Sequence, residues 1–204
     1  MEPSPRISPG SAAEIGRVNF LIARALGAAV GTGPPNIFTT LARHRRLFRP
    51  WLRFAGALMP GGKLPRADSE LLILRVAHNA GSEYESSQHE RLALTAGLTA
   101  ADVARVREGH AVAGWSERQR LLLCAADELH EQRVISAATW RQLRPLLSDA
   151  ELIELCMLVG HYEMLAMTLR TLGVVPDPVP TGPPPRLARL AASLRARHER
   201  RRRG

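Results

Sequence analysis

The sequence predicts an all-α protein, and three observations carry that expectation. Apolar residues make up 45% of the chain but aromatic ones only 4%, so the core must be built from Leu, Ala, Val and Ile, which suit helices packed ridge against groove. Apolar side chains recur at spacings of three and four through most of the chain, the period of one helix face. The runs open on Ser, Thr, Asp or Asn and close near glycine or proline, as helices do.

The chain is 204 residues long, enough for one ordinary domain with tails. The expected division is a disordered N-terminus over residues 1–10, which hold three prolines, a helical domain over 11–175, and a Pro-rich linker with a basic tail over 176–204. Ser11 and Glu14 have capping-box spacing, and Ile15, Val18, Leu21, Ile22 and Leu26 then mark the inward face of a helix that stops at Gly31. Asn36 is the expected cap of the next helix, with Ile37, Leu41, Leu47 and Leu52 inward and a bend or break near Pro50. Asp68 or Ser69 caps a central helix running from Glu70 to about Asn79, ended by Gly81. Ser82 opens another that continues to Gly97, and Thr99 starts a short one that ends near Gly109. Ser116, Ser136 and Ser148 begin the last three helices, the final one a long run from Leu152 to Leu172 closed by Gly173. Leu187, Leu190 and Leu194 have the spacing of a short basic amphipathic helix in the tail.

The net charge of +9 invites a nucleic-acid reading, but its distribution argues against one. Residues 186–204 hold eight arginines against one acid, Glu199, which leaves about +2 for everything else. Cys124 and Cys156 lie far apart in apolar runs, with no CxxC and no Cys/His metal spacing, so the expectation is two unpaired thiols and no metal site. The opening MEPSPRISPGS is unlike a signal peptide, and no stretch reaches the roughly 20 apolar residues of a membrane span. A cytoplasmic protein follows as the expectation.

Candidate chemistry concentrates in ELLILRVAHNAGSEYESSQH, residues 70–89. Ser82, Glu85 and His89 share one helix face, and a fold-back across Asn79–Gly81 would bring Glu70 against them. A carboxylate beside an imidazole in a partly dry site shuttles protons near neutral pH. A plainer reading stands beside it: Ser82 and Glu85 fit a capping box, and Glu70 in a first helical turn is favoured by the macrodipole alone.

The run Glu70-Leu-Leu-Ile-Leu-Arg-Val-Ala, with Glu83-Tyr84-Glu85, Gln88-His89 and Ala96-Gly97-Leu98, resembles the carboxymuconolactone decarboxylase family, which includes the AhpD-like alkylhydroperoxidases. Ala125 to His130, Trp140, and Leu152 to Met164 extend the resemblance, which covers roughly residues 36–175. It implies an AhpD-like helical bundle. The AhpD-like branch uses a Glu, two cysteines three apart and a His four residues later. Here Glu70 and His89 match the first and last, while Ser82 and Glu85 occupy the cysteine positions and carry no thiol. The resemblance therefore implies a cofactor-free lyase or isomerase acting on a small carboxylated or lactone metabolite. His89, Glu85 and Glu70 are its expected catalytic residues, and Tyr84, Ser82 and His161 its expected substrate-binding ones. Two alternatives are an AhpD-like peroxidase with peroxiredoxin-type activity through an unrecognised thiol, and a non-catalytic binding or assembly protein on the same scaffold. A homo-oligomer, trimer or hexamer, is also implied, and the helices offer more apolar faces than a small bundle needs.

Overall fold

The computed structural model describes residues 4–178, which form helices and connecting loops, with no strand among them. The basic tail and its expected Leu187–Leu194 helix lie outside the described residues. The described residues fall into two compact units, 4–49 with 177–178, and 50–176.

In the first unit, Ser11 and Glu14 form the expected capping box, the Ser11 N–H donating to the Glu14 carboxylate at 2.8 Å. The helix it opens is a single turn, α1 (Ala12–Ile15), because Gly16 at φ 87° breaks the run before α2 (Arg17–Val30) begins. That break resets the inward face. Val18 and Leu21 are 55% and 60% exposed and Leu26 is also exposed, contrary to the periodicity, while Asn19 and Ala23 are buried. Asn19 earns its burial by donating to the Ile15 carbonyl and accepting from Arg49 Nε, both at 3.0 Å. In α3 (Asn36–Leu41) Asn36 is the first helical residue, not the cap, and its N–H donates to Asp177 Oδ1 at 2.8 Å. A carboxylate far along the chain thus does the work expected of Asn36.

The helix α4 (Arg45–Leu58) carries the chain from the first unit into the second, and it is unbroken by Pro50. Phe48 and Leu58 are its buried residues, while Leu47 is exposed.

The second unit is organised around α5 (Arg66–Asn79), which packs against α6 (Glu83–Ala96), α8 (Glu117–Gln132) and α10 (Asp149–Leu172). The helix starts earlier than expected: Pro65 holds the cap position, and Asp68 and Ser69 lie inside the first turn. Asp68 pairs instead with Arg118 at 2.7 Å. Glu70 consequently sits in the second turn, where the helix dipole gives it little, and is fully buried. Gly81 at φ 62° reverses the chain within three residues, laying α6 back along α5. Leu71, Leu74, Ala93, Leu98, Val106 and Leu123 close the core between α5, α6, α8 and α7 (Ala100–Arg105), whose last turn tightens over Val106–Glu108. Each such buried leucine contributes about 2 kcal/mol.

Thr99, Ser116, Ser136 and Ser148 cap α7, α8, α9 (Ala137–Leu143) and α10 through their side chains, as the sequence predicts. By length and composition α10 resembles a membrane span, but 61% of that window is buried within the protein, so packing accounts for its apolarity.

Candidate functional site

Glu70 of α5 and His89 of α6 meet across the fold-back, with Oε2 and Nδ1 2.6 Å apart. The other Glu70 oxygen lies 2.6 Å from Arg66, one turn earlier on the same helix. The carboxylate is fully buried and therefore depends on both partners. Glu70 fixes the ring: Nδ1 is committed to the carboxylate, and Nε2 makes no hydrogen bond among the described residues. The His89 side chain is 12% exposed, so Nε2 sits in a mostly dry setting.

Glu85, one turn before His89, is 2% exposed, and neither carboxylate oxygen has a hydrogen-bond partner. Burial pushes its acid up to about 8, with nearby Glu163 adding to the effect. The Ser82 hydroxyl lies near enough to oppose that shift weakly, yet it forms no well-shaped hydrogen bond. The capping box expected from Ser82 and Glu85 is thus absent: Ser82 holds the cap position of α6 but makes no side-chain cap bond. Glu85 is turned inward instead and carries its proton at neutral pH.

The long helix α10 supplies the other wall. The Tyr162 ring stands edge-on to His89 with centroids 5.1 Å apart. Burial, reinforced by Glu70 and Glu85, raises its hydroxyl well above the usual phenol range, so it stays protonated. His161 packs among Trp51, Phe54 and Tyr162, with centroids 6.2, 5.3 and 5.3 Å away. Its Nδ1 has no partner, and burial lowers its acid to about 4, leaving a neutral ring. Tyr84 is buried at the start of α6. The structure therefore gathers Glu70, His89 and Tyr162 directly, with Glu85 close enough to influence the tyrosine.

Sequence reasoning missed Arg66 and Tyr162. Arg66 was readable as the residue one turn before Glu70, whereas nothing local marks Tyr162. A separate cleft of about 410 Å³ runs along the next face of α6, lined by Leu74, His78, Ser82, Glu83, Ser86 and Arg107 among others. Of the six expected site residues, only Ser82 lines it. Both cysteines are free and half-buried, and burial pushes each thiol up, away from the reactive thiolate. Among the described residues no cluster of His, Cys, Asp and Glu is placed to hold a metal.

The model of the carboxymuconolactone decarboxylase family matches residues 45–128. No curated protein matches the sequence. Among solved structures, an alkylhydroperoxidase AhpD core from Ralstonia eutropha JMP134, an uncharacterized peroxidase-related protein, superimposes with a TM-score of 0.77 at 19% identity, over 87% of this chain and 94% of that one. A peroxidase-related protein from a Silicibacter species gives 0.71 at 18% identity, over 87% and 93%. The debrominase Bmp8 gives 0.70 at 13% identity, over 92% and 96%, and was also solved as a cysteine-to-alanine variant with 2,3,4-tribromopyrrole. At these identities the likeness establishes the fold, an AhpD-like helical one. The family match over α4 to α8 and the AhpD-like fold together support membership of the carboxymuconolactone decarboxylase and AhpD-like superfamily.

Proposed function

We propose that this protein is a cofactor-free lyase or isomerase that moves a proton on a small carboxylated or lactone substrate, with His89 as its acid–base group. The observation that carries the reading is the 2.6 Å contact between Glu70 and His89 Nδ1, which orients the ring and leaves Nε2 for chemistry. In the neutral ring Nε2 takes a proton; in the protonated ring it gives one. Decarboxylation of a lactone acid breaks a carbon–carbon bond, releases CO2 and leaves the electron pair in an enolate, which Nε2–H would quench. Solvent then replaces that proton. Glu85, neutral at pH 7, and Tyr162 are the adjoining proton carriers, and Ser82, Tyr84 and His161 stay in this reading as the residues around the substrate. Serine and glutamate at the positions where the resembled branch has its dithiol speak against peroxide reduction, as do the raised thiols of Cys124 and Cys156. Free cysteines suit a reducing compartment, so the reading places the protein in the cytoplasm.

The test is CO2 release and deuterium incorporation in D2O from carboxymuconolactone and related lactone acids, run beside a hydroperoxide assay. His89→Gln, folded and of unchanged mass, should lose about a hundred- to ten-thousand-fold in turnover. Unchanged turnover in that variant removes His89 from the mechanism, and peroxide consumption abolished by serine at Cys124 and Cys156 would establish the thiol reading instead.

A further inference from the structure

The cleft beside α6 stands apart from the Glu70–His89 pair, and neither of those residues lines it. It opens where the C-terminal half of α5, the first turns of α6 and the turn after α7 come together. Its volume of about 410 Å³ falls in the range of small-molecule sites. Leu74 and Ala77 of α5, with Val103 and Val106 opposite, give it an apolar floor. Ser82, Ser86 and Glu90 follow at spacings of four, so they stand one above another along its wall.

Ser82 carries the argument. It is 1% exposed, makes no side-chain cap bond, and its hydroxyl has no hydrogen-bond partner. A buried hydroxyl in that state is destabilising until a partner reaches it. It also stands at the N-terminus of a 14-residue helix, whose partial positive charge favours an electron-rich oxygen and disfavours a cation. The charges around the cleft limit what can carry that oxygen. Arg107 is held by Glu90 at 2.7 Å, which leaves the exposed Glu83 carboxylate as the lining charge without an ion pair among the described residues. Partial burial, with Arg75 and Arg107 nearby, lowers the His78 acid and keeps that ring neutral. A carboxylate ligand would therefore meet Glu83 with no unpaired cation among the lining residues to offset it.

We propose that this cleft is a small-molecule site, distinct from the Glu70–His89 pair, that takes an uncharged cyclic ketone or lactone. The ring lies on the apolar floor, and the carbonyl oxygen accepts from the Ser82 hydroxyl at the α6 N-terminus. Ser86 supplies a second hydroxyl one turn along. A carbonyl suits this place better than an alcohol, because it brings a partial negative charge to the helix end and no proton that needs an acceptor of its own. The inference goes beyond the proton-transfer reading and uses none of Glu70, Glu85 or His89.

Three ligands that share one ring test it on the full chain: cyclohexanone, cyclohexanecarboxylate and cyclohexylammonium, each titrated by amide NMR. Cyclohexanone should bind with a dissociation constant on the order of millimolar, moving the Ser82, Ser86 and Val106 amides, and both ions should bind about tenfold or more weakly. Ser82→Ala should weaken the ketone about fivefold or more while leaving the helix signal in circular dichroism unchanged. His89→Gln should bind cyclohexanone as the wild type does, which separates this site from the reaction. The proposal is overturned if the cleft amides stay still under the ketone, if either ion binds best, or if the response centres on the His89 and His161 amides. Equal ketone affinity in Ser82→Ala and wild type overturns it as well.

Discussion

At Glu85 the fold keeps a carboxylic acid with no donor to satisfy it, and that has a measurable consequence. In the unfolded chain the side chain ionises near its ordinary 4.5, while in the folded protein it holds its proton up to about 8. Between those values the folded state binds the extra proton, so stability falls as pH rises. The full interval amounts to about 5 kcal/mol. Glu85→Gln keeps the shape and removes the titration, so its unfolding free energy, measured in urea from pH 5 to 8, should be flatter than the wild type's. Parallel curves would mean that Glu85 ionises normally. His89 and Glu70 illustrate how far residues speak for themselves. Their separation along the chain suggested a pair, but the spacing alone did not show that Arg66 stands 2.6 Å from the other Glu70 oxygen, beside a fully buried carboxylate.

At the scale of the element, α10 does three jobs with residues a turn or two apart. Its buried leucines pack on α5, Tyr162 faces His89, and Glu154 holds the loop before α5 by accepting from the Lys63 and Leu64 N–H groups. Gly62 belongs to that lock, since a Cβ there would collide with the Glu154 carboxylate and the Leu58 carbonyl. Glu154→Ala should cost about 2 kcal/mol, because two loop N–H groups lose their acceptor. Hydrogen exchange at the Lys63 and Leu64 amides should speed up selectively, with α8 unaffected; unchanged exchange there would show that the loop is held by other contacts. Asp127 plays the matching part on α8. Burial works against its charge, but hydrogen bonds from Arg75, Asn79 and His110 hold its acid below the usual range.

For the whole molecule, two buried groups oppose each other across pH. His161 accepts a proton near 6.5 when unfolded and only near 4 when folded. Over that interval the unfolded state binds more protons, so its contribution makes stability rise with pH. Glu85 contributes the opposite slope from about 4.5 to 8. The two should offset each other up to about 6.5, beyond which the Glu85 slope stands alone and stability declines toward pH 8. His161→Phe removes one side of this balance, so melting temperatures across pH 4.5–6.5 should fall with pH in the variant and stay level in the wild type. A level profile in both would show that His161 is not held neutral.

The sequence by itself determined the all-α class and many of the helix ends in the second unit. Caps at Thr99, Ser116, Ser136 and Ser148, and left-handed stops at Gly97 and Gly173, are interactions within four or five residues, so local sequence specifies them almost completely. Only the tertiary structure decided what competes with those local signals. Ser82 and Glu85 carry a capping-box spacing, yet Glu85 is turned inward and buried. Asn36 has the chemistry of a cap, yet Asp177 supplies the carboxylate. Val18 and Leu21 have the period of a core face, yet the turn at Gly16 rotates them outward. In each case the outcome depends on partners distant along the chain, and which partner reaches a group first is settled by packing, not by spacing. That is also why Tyr162 became visible only in three dimensions: burial is a property of the assembled helices, and the same residue reads alike on a covered face and on an open one.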